Sequence, residues 1–207
     1  LNGITTENPD FHPDILISFG GAVVSKRIKA YLRKNKAALH WRVAPDFPDM
    51  DTFRLDTTFF NVPESDFMFA LEKHDLNLHS CNYNAKWKAI DYIAKDKQAQ
   101  FETPAAILTD YDVFSAFFEL VEGPAVLHMA NSSVVRYAQL FDPITGLRYE
   151  SNRGTSGIDG SVSTAVGAAL ASPDTKHYLI VGDISLIYDS NAFWTKPFPK
   201  NLKIIVI

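Results

Sequence analysis

Compact apolar runs alternate along the chain with stretches whose apolar residues recur every three to four positions, the patterns of strands and helices in turn. Ile15-Leu16-Ile17-Ser18-Phe19 is one such run, and it ends at Gly20-Gly21 as a parallel strand entering a loop does. Lys26 to Asn35 is predicted to be a helix, and Ala38-Leu39-His40-Trp41-Arg42-Val43 a second strand. Pro45 and Pro48 exclude regular structure from the loop 44–52, because proline has no amide proton to donate. A third strand is predicted over 57–62. Asn84 to Gln98 sets Trp87, Ile90, Tyr92 and Ile93 among Lys and Asp, which predicts an amphipathic helix closing the first half.

The polar stretch Lys95-Asp96-Lys97-Gln98, with Pro104 after it, predicts a boundary near 98–103. Beyond it the pattern restarts with a helix capped by Thr109 or Asp110 and running to Leu120. A strand over 124–129, a helix over 132–140 from an Asn-Ser-Ser start, and a short strand over 148–150 are predicted next. A helix of small residues over 157–171, a strand over 177–181, a helical segment over 183–191 and a strand over 202–207 complete the series. This alternation argues for an α/β fold of two Rossmann-like units with mostly parallel sheets, in which ligands sit beyond the carboxyl ends of the strands.

Composition narrows the functional classes. The 207 residues are 46% hydrophobic and include 15 Phe, enough to bury two cores of ordinary domain size. With 20 Lys+Arg against 24 Asp+Glu the net charge is −4, so no broad basic field exists to hold a phosphate backbone and nucleic acid is excluded as the expected partner. Cys81 is the only cysteine, which rules out an intrachain disulfide. No N-terminal basic-then-apolar signal and no bilayer-length apolar run is present, so a cytoplasmic protein that is not integral to a membrane is expected. The chain opens on Leu1 rather than Met and closes inside a β-branched run, which reads as an excised piece of a longer polypeptide.

The segment richest in chemistry is Tyr178-Leu179-Ile180-Val181-Gly182-Asp183-Ile184-Ser185. An apolar strand ends at Gly182, whose missing side chain permits a diphosphate to approach, and Asp183 follows as a hard oxygen ligand for a divalent cation. Ser185 and the amides of the next turn can meet phosphate oxygens. The plain alternative is a strand-to-helix turn with Asp as its cap. Upstream, Asn152-Arg153-Gly154-Thr155-Ser156-Gly157-Ile158-Asp159-Gly160 specifies a loop and a closely packed helix.

The two segments together resemble thiamine-diphosphate enzymes, and in particular the menaquinone-pathway synthase family, 2-succinyl-5-enolpyruvyl-6-hydroxy-3-cyclohexene-1-carboxylate synthase. Gly182-Asp183 resembles the first half of the cofactor motif, whose Asn pair would follow beyond Ile207. Asn131-Ser132-Ser133-Val134-Val135-Arg136 resembles the family's Asn-Ser-x-x-x-Arg helix start, and Ser25-Lys26-Arg27 a Ser/Thr-Lys-Arg element of its central domain.

The resemblance implies a central domain over 1–100 and a diphosphate- and metal-binding domain over 101–207, cut short, with the pyrimidine-binding domain and its activating Glu outside the chain. It implies thiamine diphosphate with Mg2+ or Mn2+ as cofactors, held by Gly157, Ile158, Gly182, Asp183, Ile184 and Ser185, with Asp183 on the metal and Ile158 propping the thiazolium. It implies 2-oxoglutarate and isochorismate as substrates, bound by Lys26, Arg27, Ser132, Arg136 and Arg153. Arg suits that task because it grips a carboxylate with two parallel charge-assisted hydrogen bonds. A cofactor lying between subunits implies a homodimer or homotetramer. No catalytic residue is expected within the chain, and the piece alone is expected to be inactive.

Two readings stay open beside this one: a different thiamine-diphosphate decarboxylase or ligase, and a non-catalytic nucleotide-binding module. His74, His79 and Cys81 are too irregularly spaced for a zinc site. The pairs Asp110 with Asp112 and Asp49 with Asp51 read as caps and loop polarity.

Overall fold

Parallel pairing governs both halves of the computed structural model, which describes residues 8–46, 51–74, 81–101 and 107–207. The chain divides into two compact units, Leu1–Glu102 and Thr103–Ile207. In the first, strands β1 (Ile15–Ser18), β2 (Leu39–Val43) and β3 (Thr57–Phe60) lie in the order β1-β2-β3, all parallel. Helix α1 (Lys26–Lys34) starts where the Ser25 hydroxyl accepts from the Ile28 amide and buries Tyr31. Helix α3 (Tyr83–Ala99) brings Trp87 edge-on to Phe11 and Tyr31. Buried His40 on β2 crosses the sheet: its Nε2 bonds Ser18 of β1 and its Nδ1 bonds Thr57 of β3, each at 2.8 Å.

The second unit holds strands β4 (Ala125–Met129), β5 (Leu147–Glu150), β6 (Lys176–Val181) and β7 (Leu202–Val206), ordered β5-β4-β6-β7 and all parallel. Helices α4 (Asp110–Leu120), α5 (Ser133–Ala138), α6 (Ser161–Ala171) and α7 (Asp183–Tyr188) pack about the sheet. Leu127, Leu179, Ile180 and Val181 are fully buried, as central strands covered on both faces require. Helix α6 buries Val162, Ala165, Val166 and Ala169 at i, i+3, i+4 and i+7, and its small side chains let it approach the strands closely. Helix α4 begins with a capping box in which Thr109 and Asp112 satisfy each other's amides, so Asp112 is a cap.

The fold class is the expected one, and the differences are local. Helix α2 (Glu64–Lys73) lies where the hydrophobic pattern assigned no element, since Phe67, Met68 and Phe69 are consecutive and only Phe67 is buried. Helix α6 starts at Ser161 rather than 157, because Gly160 at its N-cap takes φ 79° and ends the preceding loop. Helix α5 spans only 133–138, and the segment after Asp183 breaks at Asp189 into a 3-10 turn, Ser190–Trp194. His79 and Asp49 lie outside the described residues, and among the described residues no group of three or more His, Cys, Asp or Glu could hold a metal ion. No helix among them is long and apolar enough to cross a membrane.

Candidate functional site

The strand order of the second unit places a switch between β4 and β6: from β4 the chain moves outward to β5, then returns past β4 to build β6 and β7 on the other side. Connections leave such a point in opposite directions and open a crevice at the carboxyl ends of the two strands. Here those ends are Ala130-Asn131-Ser132 after β4 and Gly182-Asp183 after β6, held side by side by the Ala130 amide donating to the Ile180 carbonyl at 3.0 Å. The loop 151–160 enters the same place from the end of β5.

Asn131 ties these segments together. It is buried, and its Nδ2 donates to the carbonyls of Asn152 at 2.9 Å and Gly157 at 2.7 Å, while its Oδ1 accepts from Arg153 Nη1 at 2.7 Å. Arg153 is half-buried, has no carboxylate partner among the described residues, and keeps a buried Nε–H with no partner. Asn152 closes the loop from its other side, donating to Gly160 O at 3.2 Å and Thr164 Oγ1 at 3.0 Å.

On the β6 side, the Asp183 amide donates to the Ile207 carbonyl at 3.0 Å, which fixes the turn against the end of β7. The Asp183 carboxylate is exposed, with Oδ1 accepting from the Ile184 amide at 2.7 Å. Ser185 is buried and its hydroxyl donates to the Ile158 carbonyl, so this hydroxyl links the Gly-Asp turn to the glycine loop. Ile158 itself presents its side chain outward at 39% exposure. Beneath both segments, the buried carboxylate of Asp189 accepts from the Ser163 amide at 2.7 Å and the Ser163 hydroxyl at 2.5 Å, joining the end of α7 to the first turn of α6.

The structure thus brings Gly157, Ile158, Arg153, Gly182, Asp183, Ile184 and Ser185 to one crevice, with Ser132 beside them after Asn131. Ser132 has φ 73° and ψ −121°, outside the usual regions for an L-residue, and makes no side-chain cap bond. Strain of this kind persists where the surroundings over-determine it. Arg136 stands exposed in the last turn of α5. Lys26 and Arg27 belong to the first unit, exposed in the opening turn of α1.

Four residues that the motif reading left without a role carry much of the geometry: Asn131, Asp189 and the pair His128 and His177. An Asn closing a central strand and an Asp ending a short helix were the available signals. The Ser172 hydroxyl donates to Ala168 O at 2.8 Å and so accepts from His177 Nε2 at 2.9 Å; His177 Nδ1 then accepts from His128 Nε2 at 2.9 Å. Burial, and then the adjoining His177, push the pKa of His128 down to about 4, and burial lowers His177 as well. The two rings line a cavity of about 620 Å³ between the sheet and α6.

No protein-family profile matches the chain. It is 41% identical over 198 residues to 2-succinyl-5-enolpyruvyl-6-hydroxy-3-cyclohexene-1-carboxylate synthase of Flavobacterium johnsoniae, covering 96% of this chain and 35% of that protein. It is 40% identical over 200 residues to the same enzyme of Flavobacterium psychrophilum, with the same shares. The enzyme of Bacteroides fragilis is 34% identical over 196 residues, covering 94% of this chain and 34% of that protein. The resemblance named from the motifs therefore holds along nearly the whole chain, which spans about a third of the length of these relatives.

Proposed function

We propose that this chain is part of a thiamine-diphosphate-dependent synthase that decarboxylates 2-oxoglutarate and adds the succinyl unit to isochorismate in menaquinone biosynthesis. The observation that carries the reading is the convergence, at one switch-point crevice, of Gly182-Asp183, the Ile158 turn and Arg153, in a chain similar throughout to synthases of that name.

The residues present fit the cofactor. A Cβ on Gly182 would approach only the Ile207 carbonyl, at 4.0 Å, so the end of β6 is open on the side a diphosphate would use. Asp183 supplies one exposed carboxylate oxygen set. Magnesium is commonly held by one or two carboxylates together with phosphate oxygens rather than by a cage of protein ligands, and manganese accepts the same oxygen donors. Gly182, Asp183 and the backbone at Ile184 and Ser185 would hold the diphosphate and its metal. Gly157 and Ile158 would lie against the ring system. When bound, thiamine diphosphate supplies a thiazolium that acts as an electron sink for decarboxylating a 2-oxo acid.

The chain's own contributions follow from its side chains. Exposed Ile158 offers an apolar surface that excludes water beside the reacting carbon. Arg153, which has no carboxylate partner among the described residues, would grip a substrate carboxylate, and Ser132 and Arg136 would add a hydroxyl and a second cation from the β4 side. Lys26 and Arg27 serve the acidic substrates from the central domain, over 1–100; the diphosphate-binding domain is 101–207. We assign the reaction to a cytoplasmic homodimer or homotetramer in which a pyrimidine-binding domain outside this chain supplies the activating Glu. The test is product formation from 2-oxoglutarate and isochorismate by the longer polypeptide. Retention of an adenine nucleotide with no response to thiamine diphosphate would instead favour a nucleotide-binding module.

A further inference from the structure

Among the described residues, Arg153 is the site arginine whose guanidinium is held by another side chain of the crevice, and the holder is neutral. A carboxylate in that position would pair with the cation and spend its charge. An amide orients it by a hydrogen bond of 2.7 Å and leaves the charge available. The amide has a fixed orientation, because both Nδ2 protons are committed to carbonyls, at Asn152 and Gly157, and only Oδ1 remains for the guanidinium. The same side chain therefore closes the loop on either side of Arg153 and pins the residue next to Ile158. Being buried, it has no room to exchange these partners for water.

From this we infer that Asn131 is the positioning residue of the site: it orients Arg153 as an uncompensated cation and sets the turn that presents Ile158. That the cation then receives a substrate carboxylate rests on the function proposed above. The orienting role does not. The buried Nε–H of Arg153 has no acceptor, so no second group competes with the Asn131 Oδ1 for holding the guanidinium. The strained backbone of Ser132, immediately after Asn131, agrees with an anchor that dictates the chain path.

The test uses the 207-residue chain with nitrogen-15 arginine, read by side-chain NMR, for the guanidinium, and the longer polypeptide supplied with thiamine diphosphate and magnesium, titrated with 2-oxoglutarate and isochorismate as probes, for anion affinity. In the wild type, Arg153 should give a resolved Nε–H signal with slowed rotation of its Nη groups. Asn131→Ala should merge that signal with those of the solvated arginines, and backbone amide spectra will show whether the fold is intact. Asn131→Asp, of nearly the same shape, should retain the ordered guanidinium, displace the Gly157 and Ile158 amide signals by setting a carboxylate oxygen against two carbonyls, and weaken probe binding roughly tenfold. A merely structural asparagine would not separate guanidinium order from anion affinity in this way. An Arg153 spectrum unchanged by Asn131→Ala, or an Asn131→Asp chain that binds the probes as tightly as wild type, overturns the inference. A wild type that binds neither probe while Asn131→Ala still releases the guanidinium supports the positioning role and overturns the substrate reading.

Discussion

Helix α6 has no acceptor at its own N-cap, since Gly160 carries no side chain, and Asp189 supplies one from 26 residues away. Changing Asp189 to Ala removes the acceptor for the Ser163 amide and hydroxyl and leaves both donors without it in a half-buried place. A hydrogen bond to a charged group contributes about 1.5–3 kcal/mol, and loss of a helix N-cap costs about 1 kcal/mol. One carboxylate serves both roles here, so the terms overlap, and a local cost of about 2–3 kcal/mol is expected. Asp189→Asn keeps one oxygen acceptor and should cost roughly half as much. Native-state hydrogen exchange over 161–166 reads this directly. At 1.4 kcal/mol per factor of ten, Asp189→Ala should speed exchange there by roughly thirty- to hundredfold under conditions where local opening governs it, while β7 changes less. Exchange altered by less than about threefold, or equal effects from Asn and Ala, would refute the reasoning that a distant carboxylate caps this helix.

Two further outcomes follow from the same unit. His128 has a folded pKa of about 4, below its ordinary value near 6.5, so between those limits the unfolded chain binds a proton that the folded chain does not. Its contribution is thus intact above pH about 6.5 and declines as pH falls toward 4; urea unfolding at pH 5 should show about 2 kcal/mol less stability than at pH 7.5 from this group, a difference that His128→Asn largely abolishes. Leu127 is fully buried at the centre of the core, and Leu127→Ala should cost about 3–5 kcal/mol, read as lost protection of β4 and β6 amides in urea; a cost under about 1 kcal/mol would mean that the cavity collapses.

The parallel α/β architecture was legible because its central strands are continuously apolar. The segment from His177 to Val181 could not be a solvated strand, and the helices around it carry recognisable starts such as Thr109-Asp110. Helix α2 was not legible, because three consecutive apolar residues have no period. The start of α6 was misplaced for a related reason: small residues on both sides of Gly160 look alike, and only the positive φ at that glycine marks the end of the loop. In the site, Gly182, Asp183, Ile158 and Arg153 were visible as a motif, whereas Asn131 and Asp189 act through partners 21 to 26 residues away that local pattern does not reveal. Ser185 shows the same limit. Its position suggested phosphate contact, yet its hydroxyl is committed to the Ile158 carbonyl, which would leave only its backbone for a diphosphate.

The proposed chemistry would belong to a longer protein, and product formation by that protein measures it most directly. Supplied with thiamine diphosphate, magnesium, 2-oxoglutarate and isochorismate, it should release carbon dioxide and form the succinyl adduct in equal amounts. Arg153→Ala should lose product formation while still binding the cofactor, because in the proposed function the arginine meets substrate and Asp183 meets the metal. A protein that turns over pyruvate but not 2-oxoglutarate, or whose product formation is indifferent to Arg153→Ala, would contradict the account.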